Sequence, residues 1–291
     1  MTGESHVPVL LEETIEGLGF GRNASVVDAT ADGGGHLRTI LRKLGPKGKL
    51  IGLDWDERMI AELQKELAWD RRVKLFHLNF SDVGKVAKSL RPDAILFDLG
   101  LSSLQLYASG RGFSFNAAEG LEMTFSAKTR PNAVEFLREV SEKELEEIIR
   151  EYGEEPFAGR IARAIAAARK NKTIRTAQEL GEIISRSVRR RGRIHPATKT
   201  FQALRIYLNR ELENISRGLE GAWKILKPGG RIAVISYHSL EDRIVKKFFK
   251  EKANLKKGTL IFKKPLVPSR EEVIKNPRSR SAKLRIIEKN K

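Results

Sequence analysis

The sequence predicts an α/β protein: a Rossmann-like, doubly wound parallel sheet interrupted by an all-helical insertion. Two observations carry that prediction. Over roughly the first hundred residues, short β-branched or apolar runs alternate with segments of helical periodicity, and the runs end in acids or an Asn. After Leu99 the rhythm lapses into helical patterns alone, and a strand pattern returns only at Arg231.

Taken in order, Ser25–Asp28 is a β-branched run ending in an acid, followed by the glycine turn 30–36. Leu37, Ile40, Leu41 and Leu44 recur at helical spacing until Gly45-Pro46 stops them. Lys49–Asp54 is a second strand, and Glu57–Ala68 a helix with Met59, Ile60, Leu63 and Leu67 inward. Val73–Asn79 alternates as a strand, and Ala94–Asp98 is a continuous apolar strand. Helical patterns then cover Ala133–Arg150, Pro156–Arg169, Ala177–Arg190 and a run from about Phe201 to Leu226, closed by Lys227-Pro-Gly-Gly230. Arg231–Tyr237 is a strand, Leu240–Lys250 a helix, and Thr259–Lys263 and Ala282–Glu288 are late strands. The resulting division is a discontinuous domain of residues 1–105 and 215–291 around a helical insertion of residues 106–214.

The chain has 55 Lys+Arg against 37 Asp+Glu, a net charge of +18, and no cysteine. That excludes disulfides, thiolate metal sites and thiol catalysis. No apolar run is long enough to suggest a membrane span, and the first residues lack the cationic lead-in of a signal peptide, so a cytoplasmic protein is expected. The charge is unevenly spread. Residues 158–210 carry 14 basic and 2 acidic groups, residues 241–291 carry 17 and 6, and the remainder is slightly acidic. A solvated surface mixes both signs. Arg186, Arg189, Arg190, Arg191 and Arg193 have no acid among them, which favours a nucleic-acid partner.

Open parallel sheets bind ligands beyond the carboxyl ends of their strands. Four such ends here carry Asp28 with Gly33, Gly34, Gly35 and His36, then Asp54, then Asn79-Phe80, then Asp98. Asp54 stands where an acid accepts hydrogen bonds from two ribose hydroxyls, and Phe80 suits the flat face of an adenine. A dinucleotide fingerprint is poor, because its third glycine falls near Arg38. Clustered acids repel a pyrophosphate but suit the cationic S-adenosylmethionine, which is the expected cofactor. Taken singly, each Gly or Asp reads as a turn residue or a helix cap; four at successive strand ends do not.

Several segments together resemble the RsmH (MraW) family: His6–Leu11, Asp28–His36, Asp98–Gln105, Arg111–Phe115, Tyr152–Glu155, His195–Arg205 and Ser236–Arg243. They run nearly end to end in family order. The resemblance implies a class I S-adenosylmethionine-dependent methyltransferase acting on the exocyclic N4 of a decoding-centre (P-site) cytidine in bacterial 16S rRNA, within the small ribosomal subunit. It implies cofactor contacts by Gly34, Gly35, His36, Asp54, Phe80, Asp98 and Gln105. The sequence departs from the family pattern at Leu121–Phe125, where an Arg is lost, at Lys199 for Arg and at Tyr237 for Phe.

For catalysis the candidates are Asp98, Ser102 and Ser103, with backbone carbonyls from Leu99 to Leu101 facing the N4 protons. Asp98 serves the cofactor, the base or both, and the two serines equally suit helix caps. The RNA-contact candidates are Arg111, Phe115, Arg189, Arg191, His195, Arg205, His238 and Arg243. Phe113, Phe115, Phe201 and Tyr237 are stacking candidates for a flipped base, although an aromatic at such spacing is ordinarily core. His238 with Glu241 and Asp242 lacks metal-ligand spacing, so no metal is expected. Two competing readings are a non-catalytic RNA-binding or assembly protein on a methyltransferase scaffold, and a methyltransferase of another nucleic acid.

Overall fold

The computed structural model describes residues 8–100, 110–115, 119–126, 129–188 and 195–291. The chain divides into two compact units, unit 1 being Met1–Gly100 with Leu212–Lys291 and unit 2 being Leu101–Glu211.

Unit 1 is built on a seven-stranded sheet, β1 (Ser25–Asp28), β2 (Lys49–Asp54), β3 (Val73–His77), β4 (Ala94–Asp98), β5 (Arg231–Ser236), β6 (Gly258–Leu260) and β7 (Lys283–Lys289). Their order is β3-β2-β1-β4-β5-β7-β6. The first five are parallel, and β7 pairs antiparallel with both β5 and β6. Successive strand residues feed opposite faces, as the pleat requires. Val26, Leu50, Leu96 and Ile235 join one core with α1 (Leu11–Leu18), α2 (Gly35–Lys43) and α3 (Glu57–Leu67). Their neighbours Val27, Ile51, Phe97 and Val234 join the other with α4 (Val83–Val86), the helix at Glu211–Ile225 and the helix at Ser239–Asn254. A sheet covered on both faces explains the nearly continuous apolar strands.

Unit 2 contains α5 (Ala133–Glu139), α6 (Glu142–Gly153), α7 (Ala158–Asn171), α8 (Ala177–Ser187) and α9 (Thr198–Leu208) around one core that includes Leu145, Ile149, Ile161, Ile165, Leu180, Ile184, Phe201 and Leu204. Returning to unit 1, α10 (Glu211–Ile225), α11 (Ser239–Asn254) and α12 (Arg270–Lys275) complete the helices among the described residues.

Two helices expected to be continuous are broken. The run from Ala133 splits because Val140 turns extended and Ser141 caps α6, its hydroxyl accepting from the Glu144 amide at 3.1 Å. The run toward Leu226 splits at Asn209-Arg210, where Arg210 is left-handed at φ 50°. Asn209 is buried and spends its side chain on tertiary partners, donating to the carbonyls of Met123 and Arg205 and accepting from the Phe125 amide at 3.0 Å. Helices α1, α4 and α12, for which the sequence carries no expectation, also form.

Candidate functional site

The strand order reverses between β1 and β4, so the crevice beyond their carboxyl ends is the natural ligand site of unit 1. Asp28 ends β1, Asp98 ends β4 and Asp54 ends β2. Thr30 ties two of these ends together. Its amide donates to Asp28 Oδ1 at 3.2 Å, and the Asp98 amide donates to its hydroxyl at 2.7 Å.

Asp54 accepts the Asp56 amide on Oδ1 at 2.7 Å and the Asp32 amide on Oδ2 at 2.8 Å. Each oxygen thus keeps one further lone pair, a pair of acceptors that matches a vicinal diol. Burial, with the charge of Asp32 next, pushes the Asp54 carboxyl up to about 7 despite those amides. Asp28 is fully buried and its Oδ2 has no hydrogen-bond partner among the described residues. Burial, reinforced by Asp98, Asp54 and Asp32, holds its carboxyl well above the usual range.

The glycine turn is shaped by local sterics. Gly34 sits at φ 81° as the residue before α2, a left-handed conformation costly for other residues, and Gly35 lies where a Cβ would fall 2.3 Å from the Pro8 ring. The carbonyl of Gly33 accepts from Arg38 at 2.6 Å. His36 is buried, with Nε2 3.2 Å from the Val9 carbonyl and Nδ1 3.5 Å from Asp98 Oδ2. Phe80, in the 3-10 turn after β3, meets Phe97 edge-on at 5.9 Å and packs beside Gly218. Gly33, Gly34, Gly35, His36, Asp54, Phe80 and Asp98 therefore all lie on carboxyl-end turns of unit 1.

Tyr237 was expected at most as a stacking ring. It instead stands at the end of β5, donates its hydroxyl to Asp98 Oδ1 at 2.9 Å and lays its ring against Gly100. Burial and the Asp98 charge raise its phenol well above the ordinary range, so it remains a donor. The signal was the adjacency of β5 to β4, which sequence order conceals.

The RNA-contact candidates fare unevenly. Arg111 donates into the carbonyls of Thr124 and Phe125. Arg205 makes a two-pronged pair with Glu211 at 2.8 and 2.9 Å, with both side chains largely buried. His238 caps α11: Nδ1 accepts from the Glu241 amide at 3.5 Å, and Nε2 lies 3.1 Å from the Glu241 carboxylate. Arg111 and Arg205 thus spend donors within the fold, whereas His238 uses only Nδ1, its buried Nε2 making no hydrogen bond among the described residues. Phe115 stacks on His195 with centroids 4.2 Å apart and planes 11° apart, and meets Phe201 edge-on at 5.5 Å. His195 is exposed, whereas Phe113 and Phe201 are buried core residues. Arg243 is exposed on α11. Ser102, Ser103, Gln105, Arg189 and Arg191 lie outside the described residues.

The MraW methylase family model matches residues 3–290. The chain belongs to this family. Its relatives include the Ribosomal RNA small subunit methyltransferase H of Coprothermobacter proteolyticus, 44% identical over 98% of this chain and 96% of that one. The protein of the same name from Caldicellulosiruptor bescii is 44% identical over 98% and 99%, and that from Xanthomonas oryzae pv. oryzae (strain KACC10331) 41% identical over 98% and 89%.

The family and the sheet order, with an antiparallel β7 inserted beside β5, make this a class I methyltransferase whose cofactor is S-adenosylmethionine. The site fits that group. Three acids at neighbouring strand ends, one with an unpartnered buried oxygen, are relieved by a sulfonium and an ammonium and aggravated by a pyrophosphate. No helix among the described residues is long and apolar enough to cross a membrane.

Proposed function

We propose that this methylase modifies the exocyclic N4 of a decoding-centre cytidine in 16S rRNA. The observation that carries the reading is the crevice of Asp28, Asp54 and Asp98 around the glycine turn, in a chain 44% identical nearly end to end to small-subunit ribosomal RNA methyltransferases.

When bound, S-adenosylmethionine supplies an electrophilic methyl group on sulfur. In the proposed site Asp54 would accept from the two ribose hydroxyls, Gly33 to Gly35 would let the backbone approach the ligand, Phe80 would cover the adenine face, and Gln105 is the further cofactor contact that the family resemblance implies. His36 and Tyr237 hold Asp98 from its two sides. Cytosine N4 is a weak nucleophile because its lone pair is delocalised into the ring. With the cofactor bound, N4 would take the methyl group while sulfur keeps the bonding pair, and the proton that N4 gives up would pass by way of the acceptors at Asp98 to water. Alignment and acceptors for the N4 protons are therefore what the protein contributes. Asp98 and the carbonyls of Leu99 and Gly100 would provide the acceptors, and Ser102 and Ser103, next in sequence, are the further candidates.

Unit 2 serves as the substrate-recognition domain in this reading. It carries the arginine run that includes Arg189 and Arg191, and the Phe115–His195 stack offers an exposed ring face to a base. Arg243 contributes from unit 1. A paired base must leave its stack to react, which makes ring surfaces useful at the target.

The test is transfer of tritiated methyl to small-subunit particles and to naked 16S rRNA, with nucleoside analysis of the product. N4-methylcytidine in either substrate supports the proposal. No methylated cytidine in either substrate would refute the proposal, and with RNA binding retained in a parallel binding assay it would favour the scaffold-protein alternative.

A further inference from the structure

The amino-terminal edge of the unit 1 sheet, opposite the strand ends that carry Asp28, Asp54 and Asp98, holds a second concavity. Its lining comes from the segments that lead into β1 (Arg22), β2 (Leu44, Gly45, Pro46) and β3 (Trp69, Asp70, Arg71, Arg72), and its volume is about 380 Å³, within the range of small-ligand pockets. Trp69 is 73% exposed, the largest of the exposed aromatic surfaces among the described residues.

Arg72 makes the concavity rigid. Its guanidinium donates to both oxygens of Asp70, at 2.9 and 2.6 Å, and to the Leu44 carbonyl at 2.7 Å, so it joins the two loops that form the walls. That pairing consumes Asp70, the one acid in the lining. Arg22 and Arg71 are exposed and form no side-chain hydrogen bond or ion pair among the described residues. Residues 42–49 beside them add Arg42, Lys43, Lys47 and Lys49 without an acid. This is a local reversal of sign in a part of the chain that is otherwise slightly acidic. A fixed pocket with an open indole face and unspent guanidiniums has the chemistry of single-stranded nucleic-acid binding, where bases stack on aromatics and cations take the phosphates.

We propose that this concavity is an accessory RNA site, in which an unpaired nucleotide stacks on Trp69 and its flanking phosphates meet Arg22 and Arg71. The inference rests on the reading of the substrate as RNA, but concerns a surface distinct from the transfer site.

The experiment measures binding of a fluorescein-labelled single-stranded RNA 12-mer and of small-subunit particles to the full chain, as wild type, Trp69→Ala, Trp69→Tyr and Arg22→Gln/Arg71→Gln. Thermal melts confirm that each variant is folded. Trp69→Ala weakens 12-mer binding about five- to hundredfold, and Trp69→Tyr restores most of it. The double arginine variant lowers the slope of log affinity against log salt by about 1.4. S-adenosylmethionine affinity stays at the wild-type value in all three. Unchanged RNA affinity and slope would overturn the proposal. So would loss of particle binding with 12-mer binding intact, which would make the surface a protein-docking site. Methyl transfer by the wild type is scored separately: its absence, with Trp69→Ala still weakening RNA binding, would refute the proposed reaction and leave this site standing.

Discussion

Cofactor affinity should follow the protonation of Asp54. In the free protein burial and Asp32 place this carboxyl at about 7, and each of its oxygens already accepts one backbone amide. Gripping a diol with both oxygens needs the ionised form, so binding and protonation compete. At pH 5.5 a group titrating near 7 is ionised in about one molecule in 30, so the S-adenosylmethionine Kd should be about 30-fold weaker there than on the plateau above pH 8. Calorimetric titration in two buffers of different ionisation enthalpy should show nearly one proton released per cofactor bound at pH 6 and almost none at pH 8.5. Asp54→Asn should bind about 100-fold more weakly at pH 8 and lose this pH dependence. The amide loses charge-assisted bonds of about 1.5–3 kcal/mol each, and its NH2 must face the amide of Asp32 or Asp56, donor against donor. The same shift bears on stability in the opposite sense. A carboxyl raised from 3.8 to about 7 binds more protons folded than unfolded between those values, so stability declines as pH rises through that window, by on the order of 4 kcal/mol, and levels off above it. Wild-type affinity that is flat from pH 5.5 to 8, with no proton release, would refute the reasoning.

Other outcomes follow from the same geometry. Tyr237→Phe keeps the ring against Gly100 and removes the donor to Asp98; it should cost about 1–3 kcal/mol in denaturant titration, and an unchanged midpoint would count against the bond. Asp98→Asn should lower both methyl transfer and cofactor affinity, and full retention of both would remove Asp98 from the site. Arg285→Leu breaks the pair of Arg285 with Asp242, bonded at 2.6 and 3.2 Å, and should destabilise unit 1 by about 1.5–3 kcal/mol, because Lys283 still faces the carboxylate at 3.4 Å. Although burial opposes it, Arg285 and Lys283 hold the Asp242 carboxyl below its usual range. That stability is present above the unfolded pKa and is lost as pH falls through the lower folded value, so acid melts of the variant and wild type should converge. His238→Ala should cost about 1 kcal/mol in thermal melts by uncapping α11, and His238→Asn should recover most of it.

The strands and the acids at their ends were legible because a buried parallel strand leaves a local mark: an apolar run halted by a polar residue. Ser25–Asp28, Lys49–Asp54 and Ala94–Asp98 were read to the residue. Helix interruptions were not legible, because apolar spacing persists across them. The stop at Asn209 depends on the carbonyl of Met123 and the amide of Phe125, far away in sequence. The work of Arg205 was hidden for the same reason: its partner Glu211 lies across a helix break that periodicity did not reveal. At His238 the capping pattern with Glu241 was local and readable, but capping histidines are uncommon beside Ser, Thr, Asp and Asn. Tyr237 needed strand order, which only the folded sheet supplies.

The pairing of β4 with β5 carries a consequence for how the molecule comes into being. All of unit 2 lies between those neighbouring strands, and β7, which flanks β5, lies later still. Unit 2 is one uninterrupted stretch of chain whose regular elements among the described residues are all helices, the kind of topology that forms quickly. The sheet of unit 1 cannot close until that stretch has been synthesised and passed. Assembly therefore has a direction written into its connectivity: the helical unit first, the cofactor crevice between β1 and β4 walled by its remaining strands afterwards. Pulse-labelled hydrogen exchange during refolding should find amides of α6 and α7 protected before those of β5 and β7.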